Sequence, residues 1–501
     1  MVLPIDQPHT PLCEWYRVMG LACALATNSP DVLGAARATF RQTIPAPPAP
    51  DFTLRFAVQG DAESGPPSPQ ACFRGLNHLV YVGFGGGSAM LLDLRRRRAL
   101  GRFSPALAAD AAYWQRVILP NAVGLMSEAL GLTALHCASV EKDGAALLLA
   151  GGSGAGKSTL SLALARRGFG FVSDDWTYFS HPCGRLRAWH IATPLKLLPD
   201  AARFFPELGA LRPHLSLNGE VAYEADPETV FGVRRALECE PRWLVFIERR
   251  SGPGHRLTRV APGEAAARLE HELEELPVEL AGVSARQSAT VLDLAGRECW
   301  ALEHGESPEG AAAILAGILS SSRPAGPGPI ANHESQPRFH RTGPDILRRF
   351  TPTPWRGDFE AGFEGGFEAG SGAGPAVVRL ETDSPAILRQ VAGVLRVARA
   401  ARAPQFLWRL VAEPAPRGGA DISPSPHVTT AVSSFKADGL QLDTIAEIMG
   451  ENVARSFFAV DADARLAVGF LAESLVSDGA QFREVLARLI SATAAALAES
   501  S

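Results

Sequence analysis

The sequence predicts an α/β protein in which a phosphate-binding domain is flanked by two related small α/β (α+β) units. Three observations predict it. A strand, glycine loop, helix and acid pair follow one another from Ala145 to Ser180. Short apolar runs alternate with amphipathic helical segments on either side of that stretch. The pattern near the start of the chain returns near its end.

Length and composition set the outer bounds. At 501 residues and 53.1 kDa the chain exceeds one ordinary core, which calls for two or three domains. Hydrophobic residues at 46% and charged residues at 20% fit a globular protein. A net charge of −5 offers nucleic acid no electrostatic footprint, and the basic run Arg95 to Arg98 has no interleaved aromatics and reads as a solvated strand end or turn. The seven cysteines contain no CxxC pair, which argues against a disulfide scaffold or zinc site and for a reducing compartment. The N-terminus lacks the basic start and apolar core of a signal peptide, and no run of about 18 uncharged apolar residues is present. A cytoplasmic protein without membrane or nucleic-acid partners is expected.

The domains are expected at 1–130, 131–322 and 375–501, with a Pro/Gly-rich linker at 323–374. In the first, Leu21 to Ala26 reads as a strand, and Asn28-Ser29-Pro30 opens a helix through Val32, Leu33, Ala36 and Phe40. Ile44 to Pro50 loops, Phe52 to Val58 alternates like a half-buried strand, and Ala62 to Pro69 turns. Leu79 to Phe84 and Met90 to Leu94 pair around Gly85-Gly86-Gly87, where a hairpin turn outweighs phosphate binding. A long amphipathic helix is expected over Ala111 to Leu130. In the central domain, Arg242 to Glu248 and Cys299 to Glu303 read as strands, and Ala261 to Leu273 and Pro308 to Leu319 as helices. The segment 323–374, with FEAGFEGGFEAG at Phe359 to Gly370, reads mostly as linker.

The last 125 or so residues repeat the first unit. Thr27-Asn28-Ser29-Pro30 lines up with Thr382-Asp383-Ser384-Pro385, and Pro50, Phe52 and Arg55 with Pro404, Phe406 and Arg409. Residues 89 to 117 lie without gaps on 457 to 485, bringing Asp93, Arg97, Gly101 and Asp110 onto Asp461, Arg465, Gly469 and Asp478. Such a duplication predicts that the two units pair within one chain, a contact otherwise made between subunits of a homo-oligomer.

The central stretch carries the chemistry. A triphosphate needs many donors and little side-chain bulk, which the GxxxxGKS pattern supplies through Gly151, Gly152, Ser153, Gly154, Ala155 and Gly156. The helix that opens at Lys157, Ser158 and Thr159 adds its free N–H groups and dipole. Lys157 reaches the β- and γ-phosphates, and the Ser158 hydroxyl binds Mg²⁺. Asp174 and Asp175 end the next short strand, where one acid can hold magnesium and the other accept the proton of an attacking hydroxyl. The cofactors expected are therefore ATP and Mg²⁺. No ABC-type signature is present, and the acid pair falls too early for that class.

His136, the loop ending Lys157-Ser158 and Ser173-Asp174-Asp175 together resemble the catalytic domain of the HPr kinase/phosphorylase group. The resemblance is strong over about forty residues and looser over about 190. It implies a phosphoenolpyruvate-carboxykinase-like P-loop fold and serine kinase activity, with Asp174 as base, His136 beside it, and Ser158 and Asp175 serving the metal. The family's Glu-x-Arg-Gly-x-Gly loop is missing. Between Arg185 and Leu211 the chain reads RAWHIATPLKLLPDAARFFPELGAL, whose Pro194-Leu195-Lys196 resembles shorter, divergent relatives. Lys196 is expected to be solvated. The departure points away from HPr as acceptor and from phosphorolysis, toward a serine or other hydroxyl of a protein, peptide or small molecule. The alternative is an ATP-binding regulatory or scaffold protein with little catalysis.

Overall fold

A computed structural model describes residues 10–59, 71–85, 88–215, 220–250, 254–273, 283–305, 307–321, 355–361, 376–398, 403–413, 429–437, 439–449 and 452–499. It is a mixed α/β protein with several sheets. The turn expected at Ala62 to Pro69 and most of the expected linker lie outside the described residues.

The N-terminal unit is a seven-stranded sheet. Its strands Leu12–Val18, Leu21–Thr27, Phe52–Val58, Arg98–Phe103, Ser88–Asp93, Leu79–Gly85 and Cys72–Leu76 lie side by side in that order. The helix Pro30–Phe40 starts as its sequence requires: Ser29 caps the Val32 N–H and proline occupies the first turn. The helix expected over Ala111 to Leu130 differs. It is a short α-turn at Ala111–Tyr113, a π-turn at Trp114–Ile118 and a last α-segment at Leu119–Gly124. Pro120 has no N–H for the carbonyl of Arg116, so the register slips there, and the Leu119 N–H bonds to Trp114 instead.

In the C-terminal unit the strands run Trp355–Ala361, Ala376–Thr382, Phe406–Glu413, Leu466–Ala472, Asn452–Asp461, Leu440–Met449 and Thr429–Ala437, with the short Arg396–Val397 at the edge. Trp355–Ala361 was expected as linker. It is a strand between the short Arg396–Val397 and Ala376–Thr382, antiparallel to both, with Phe359 3% exposed in the core. Glycine and charge hide its alternation, because only Phe359 need face inward to anchor it. The helix Pro385–Val394 is capped by Ser384 as Pro30–Phe40 is by Ser29.

Both outer sheets are buried on two faces, and period-two alternation divides the load. Val80, Val82 and Met90 pack under the N-terminal helices, while Leu79, Tyr81 and Leu91 meet Leu440, Phe457 and Val468 of the other sheet. Tyr81 stacks on Phe457 with ring centroids 3.9 Å apart. The basic run is not simply solvated: Arg96 bridges the fully buried Asp93 and Asp461 and also pairs with Asp463, and Arg98 pairs with Asp93. His78 Nε2 lies 2.8 Å from Asp461. Burial raises the Asp461 carboxyl, but His78, the Ala464 N–H and Arg96 outweigh it and bring it down to about 2.

The central sheet positions the site. Strand Ala145–Ala150 lies between the parallel Glu238–Arg249 and the antiparallel Thr133–Lys142. Gly170–Ser173 pairs beyond Thr133–Lys142, and Glu298–His304 lies parallel beyond Glu238–Arg249. The first half of Thr133–Lys142 bends away to pair with Trp176–Ser180. Leu147, Leu149, Val245 and Ile247 pack under the helices Lys157–Arg166 and Pro308–Ser321, whereas Leu148, Leu244 and Phe246 pack under Pro262–Glu270 and Val283–Ala295. Among the described residues no helix is long and apolar enough to cross a membrane.

Candidate active site

The carboxyl ends of Ala145–Ala150, Gly170–Ser173, Glu238–Arg249 and Glu298–His304 meet at one edge of the sheet, where ligands of open α/β sheets settle. Gly151 to Gly156 leave the first of these and lead into Lys157–Arg166. Gly151 is obligatory for packing: a Cβ there would lie 2.6 Å from the carbonyl oxygen of Ile247. Gly156, at φ +99°, turns the chain into the helix through a left-handed conformation. The Lys157 side chain is buried over the loop, its Nζ donating to the carbonyls of Gly151 at 2.7 Å and Gly152 at 3.3 Å. Ser153, Gly154 and Ala155 form the outer rim of the loop, and Ser158 and Thr159 sit half-buried in the first turn.

Asp174 and Asp175 share the turn between Gly170–Ser173 and Trp176–Ser180, which Ser173 ties by donating to the Trp176 carbonyl. Their surroundings differ. Asp174 is 5% exposed, and its Oδ2 accepts the Lys196 N–H at 3.0 Å. Burial first, then the neighbouring Asp175 charge, push its carboxyl up to about 7 against the hydrogen bonds of the Lys196 N–H and Ser158. Asp175 is exposed at the cleft mouth. Partial desolvation raises it, but the hydrogen bond and charge of His136, with Lys157 and Lys196 behind, hold it below the usual carboxylate range. The two adjacent acids thus differ in acidity, Asp174 titrating near neutrality and Asp175 below the usual carboxylate range.

His136 joins this pair from the antiparallel strand, opposite Trp176 in register. Nε2 lies 2.9 Å from Asp175 Oδ1, and Nδ1 lies 3.3 Å from Glu272 Oε2. Burial lowers its pKa, yet the hydrogen bonds to the two carboxylates outweigh that and raise it. Lys196 is half-buried rather than solvated: its N–H holds Asp174 and its Nζ donates to Glu220 at 2.7 Å.

His136, Lys157, Ser158, Asp174 and Asp175 therefore line one cleft edge. Three further residues belong to it that no local pattern announces. Glu272 follows the helix Pro262–Glu270, brings its carboxylate within ion-pair distance of His136, and receives the His136 N–H on its backbone carbonyl at 2.9 Å. His190 is kept neutral, its pKa lowered to about 3 by burial and then Arg235. Its Nδ1–H points at the Trp176 carbonyl at 3.0 Å and fixes the turn after the acid pair. Arg235 is almost wholly buried, donates to the Thr193 carbonyl and Asp226, and its charge attracts Asp174; among the described residues its Nε and Nη1 lack hydrogen-bond partners.

No family model matches the chain, and no curated protein sequence matches it. Among solved structures, the Hpr(Ser) kinase/phosphatase from Coxiella burnetii is similar at 14% identity and a TM-score of 0.19, covering 37% of this chain and 88% of that one. The likeness is distant.

Proposed function

We propose that the chain is an ATP- and Mg²⁺-dependent phosphotransferase of the HPr-kinase-like kind, built on a phosphoenolpyruvate-carboxykinase-like domain, which phosphorylates a hydroxyl acceptor. One observation carries the reading: a buried carboxylate with a pKa near 7 stands beside an ionised one at the mouth of a GxxxxGKS loop. The residues fit both expected groups. The loop's glycines keep side chains out of an anion cradle capped by a helix N-terminus, and the Ser158 hydroxyl with the Asp175 carboxylate offers the hard oxygen donors that magnesium selects. Magnesium, when bound, supplies charge neutralisation of the phosphate oxygens.

The chain's own residues do the rest. Lys157 leaves the loop carbonyls for the β- and γ-phosphates, exchanging neutral acceptors for charged ones. Asp174, ionised for much of its time at neutral pH, takes the acceptor hydroxyl's proton as the oxygen attacks; its pKa near the working pH is what general-base catalysis favours. His136, held between Glu272 and Asp175, fixes the orientation of Asp175. The acceptor is a serine or other hydroxyl of a protein, peptide or small molecule. Incubation with γ-labelled ATP, Mg²⁺ and candidate hydroxyl peptides or lysate tests this. Asp174→Asn and Lys157→Ala should each lose transfer by about 10²-fold or more; labelling by both variants equal to the parent's would overturn the assignment.

A further inference from the structure

The phosphate cleft has a neighbour on its other flank. A cavity of about 170 Å³ opens beside Gly156 and is lined by Thr159, Arg203, Phe204, Arg249, Arg250 and His304 among others. Its position follows from the sheet order. His136 and the acid pair belong to strands on one side of Ala145–Ala150, whereas Arg249 and His304 end the two strands on the other. A polyphosphate whose terminal group faces Asp174 therefore directs its nucleoside toward this cavity.

The cavity's chemistry is one-sided. Arg203 lies over the Phe204 ring at 4.5 Å, a cation–aromatic pair beside which a base can stack. Arg249 and Arg203 share the Asp200 carboxylate only loosely, at 3.8 and 3.9 Å, which leaves their forks available to a ligand. The Arg250 N–H is bound to the His304 carbonyl at 3.0 Å, and His304 Nε2 meets the Ala155 carbonyl at 2.7 Å, so strand ends and phosphate loop are joined as one frame. The side chains able to read a base edge here are mainly guanidinium donors. Guanine offers such a fork two adjacent acceptors, O6 and N7, while adenine offers N7 beside an amino donor.

Resting on the proposed phosphate site and extending it, we propose that this cavity receives the nucleoside and prefers a 6-oxopurine, so that guanine nucleotides bind more tightly than the adenine nucleotides that the same site also accepts. Calorimetric titration of the full-length chain with Mg²⁺ and GDP, IDP, ADP or inorganic tripolyphosphate tests it. GDP and IDP, which share O6 and N7, should bind about fivefold or more tighter than ADP. The double variant Arg203→Lys with Arg249→Lys keeps the charge but loses both forks, and should erase that preference while tripolyphosphate binds as in the parent. ADP binding as tightly as GDP, IDP behaving like ADP, or a preference that survives both lysines would overturn the inference while leaving the phosphate site standing. Failure of all four ligands to bind would overturn the phosphate site and this inference together.

Discussion

Asp174→Asn should make the unliganded protein more stable at pH 8 while removing its activity. The carboxyl is lifted from 3.8 to about 7, so holding it ionised in the folded chain costs up to about 4 kcal/mol at 1.36 kcal/mol per pKa unit. Asparagine removes that charge, retains an oxygen for the Lys196 N–H, and relieves the repulsion from Asp175. Relaxation and imperfect geometry reduce the gain to about 1–3 kcal/mol. The sign with pH follows from a folded pKa above the unfolded one. The neutral acid favours folding below the unfolded pKa near 4, and that contribution is lost as pH rises through about 7. The variant's advantage should therefore be largest above pH 7 and shrink toward pH 4. Thermal unfolding followed by near-ultraviolet circular dichroism, at pH 8 and pH 5 without nucleotide or magnesium, reads the difference. A variant that is less stable than the parent at pH 8, or whose advantage does not change with pH, would refute the reasoning.

Three other perturbations have distinct signatures. Gly151→Ala should cost about 1–3 kcal/mol and abolish ATP binding, since its Cβ would lie 2.6 Å from the Ile247 carbonyl; unaltered binding by fluorescence titration would count against the cradle. Arg96→Ala strips a shared counter-ion from the buried Asp93 and Asp461, and should lower stability by about 3 kcal/mol in chemical denaturation while the transfer rate of the folded protein stays unchanged. Glu272→Gln removes one of the two carboxylates that raise His136. Because a raised histidine pKa stabilises at low pH and that contribution fades as pH rises through the folded value, the variant's deficit should be greater at pH 5 than at pH 8; a pH-independent deficit would mean that Glu272 does not act on His136.

Much of the architecture is carried by local signals. Ser29 and Ser384 cap helices one position ahead of a proline, and the apolar run Ala145–Ala150 meets a glycine loop, so those elements are readable from adjacent residues. Features set by distant partners are not. Nothing near Glu272 says that its carboxylate reaches His136, 136 residues earlier, and nothing near Arg235 marks it as a buried neighbour of Asp174. Lys196 looks like a surface lysine until the fold brings its N–H to Asp174 and its amine to Glu220. Composition misleads at Trp355–Ala361, where glycine and charge obscure a strand that one buried phenylalanine secures. At Trp114–Ile118 periodicity misleads instead, since an amphipathic pattern does not register the hydrogen bond that Pro120 cannot make.

If the loop and the acid pair form one magnesium–nucleotide site, residues of both must shape ATP binding. Calorimetric titration of ATP into the full-length protein, with and without Mg²⁺, repeated on Lys157→Ala and Asp175→Asn, decides this. A joint site gives saturable binding that magnesium strengthens in the parent, loss of binding in Lys157→Ala, and loss of the magnesium effect alone in Asp175→Asn. An absence of ATP binding by the parent, or binding that neither substitution alters, would contradict it.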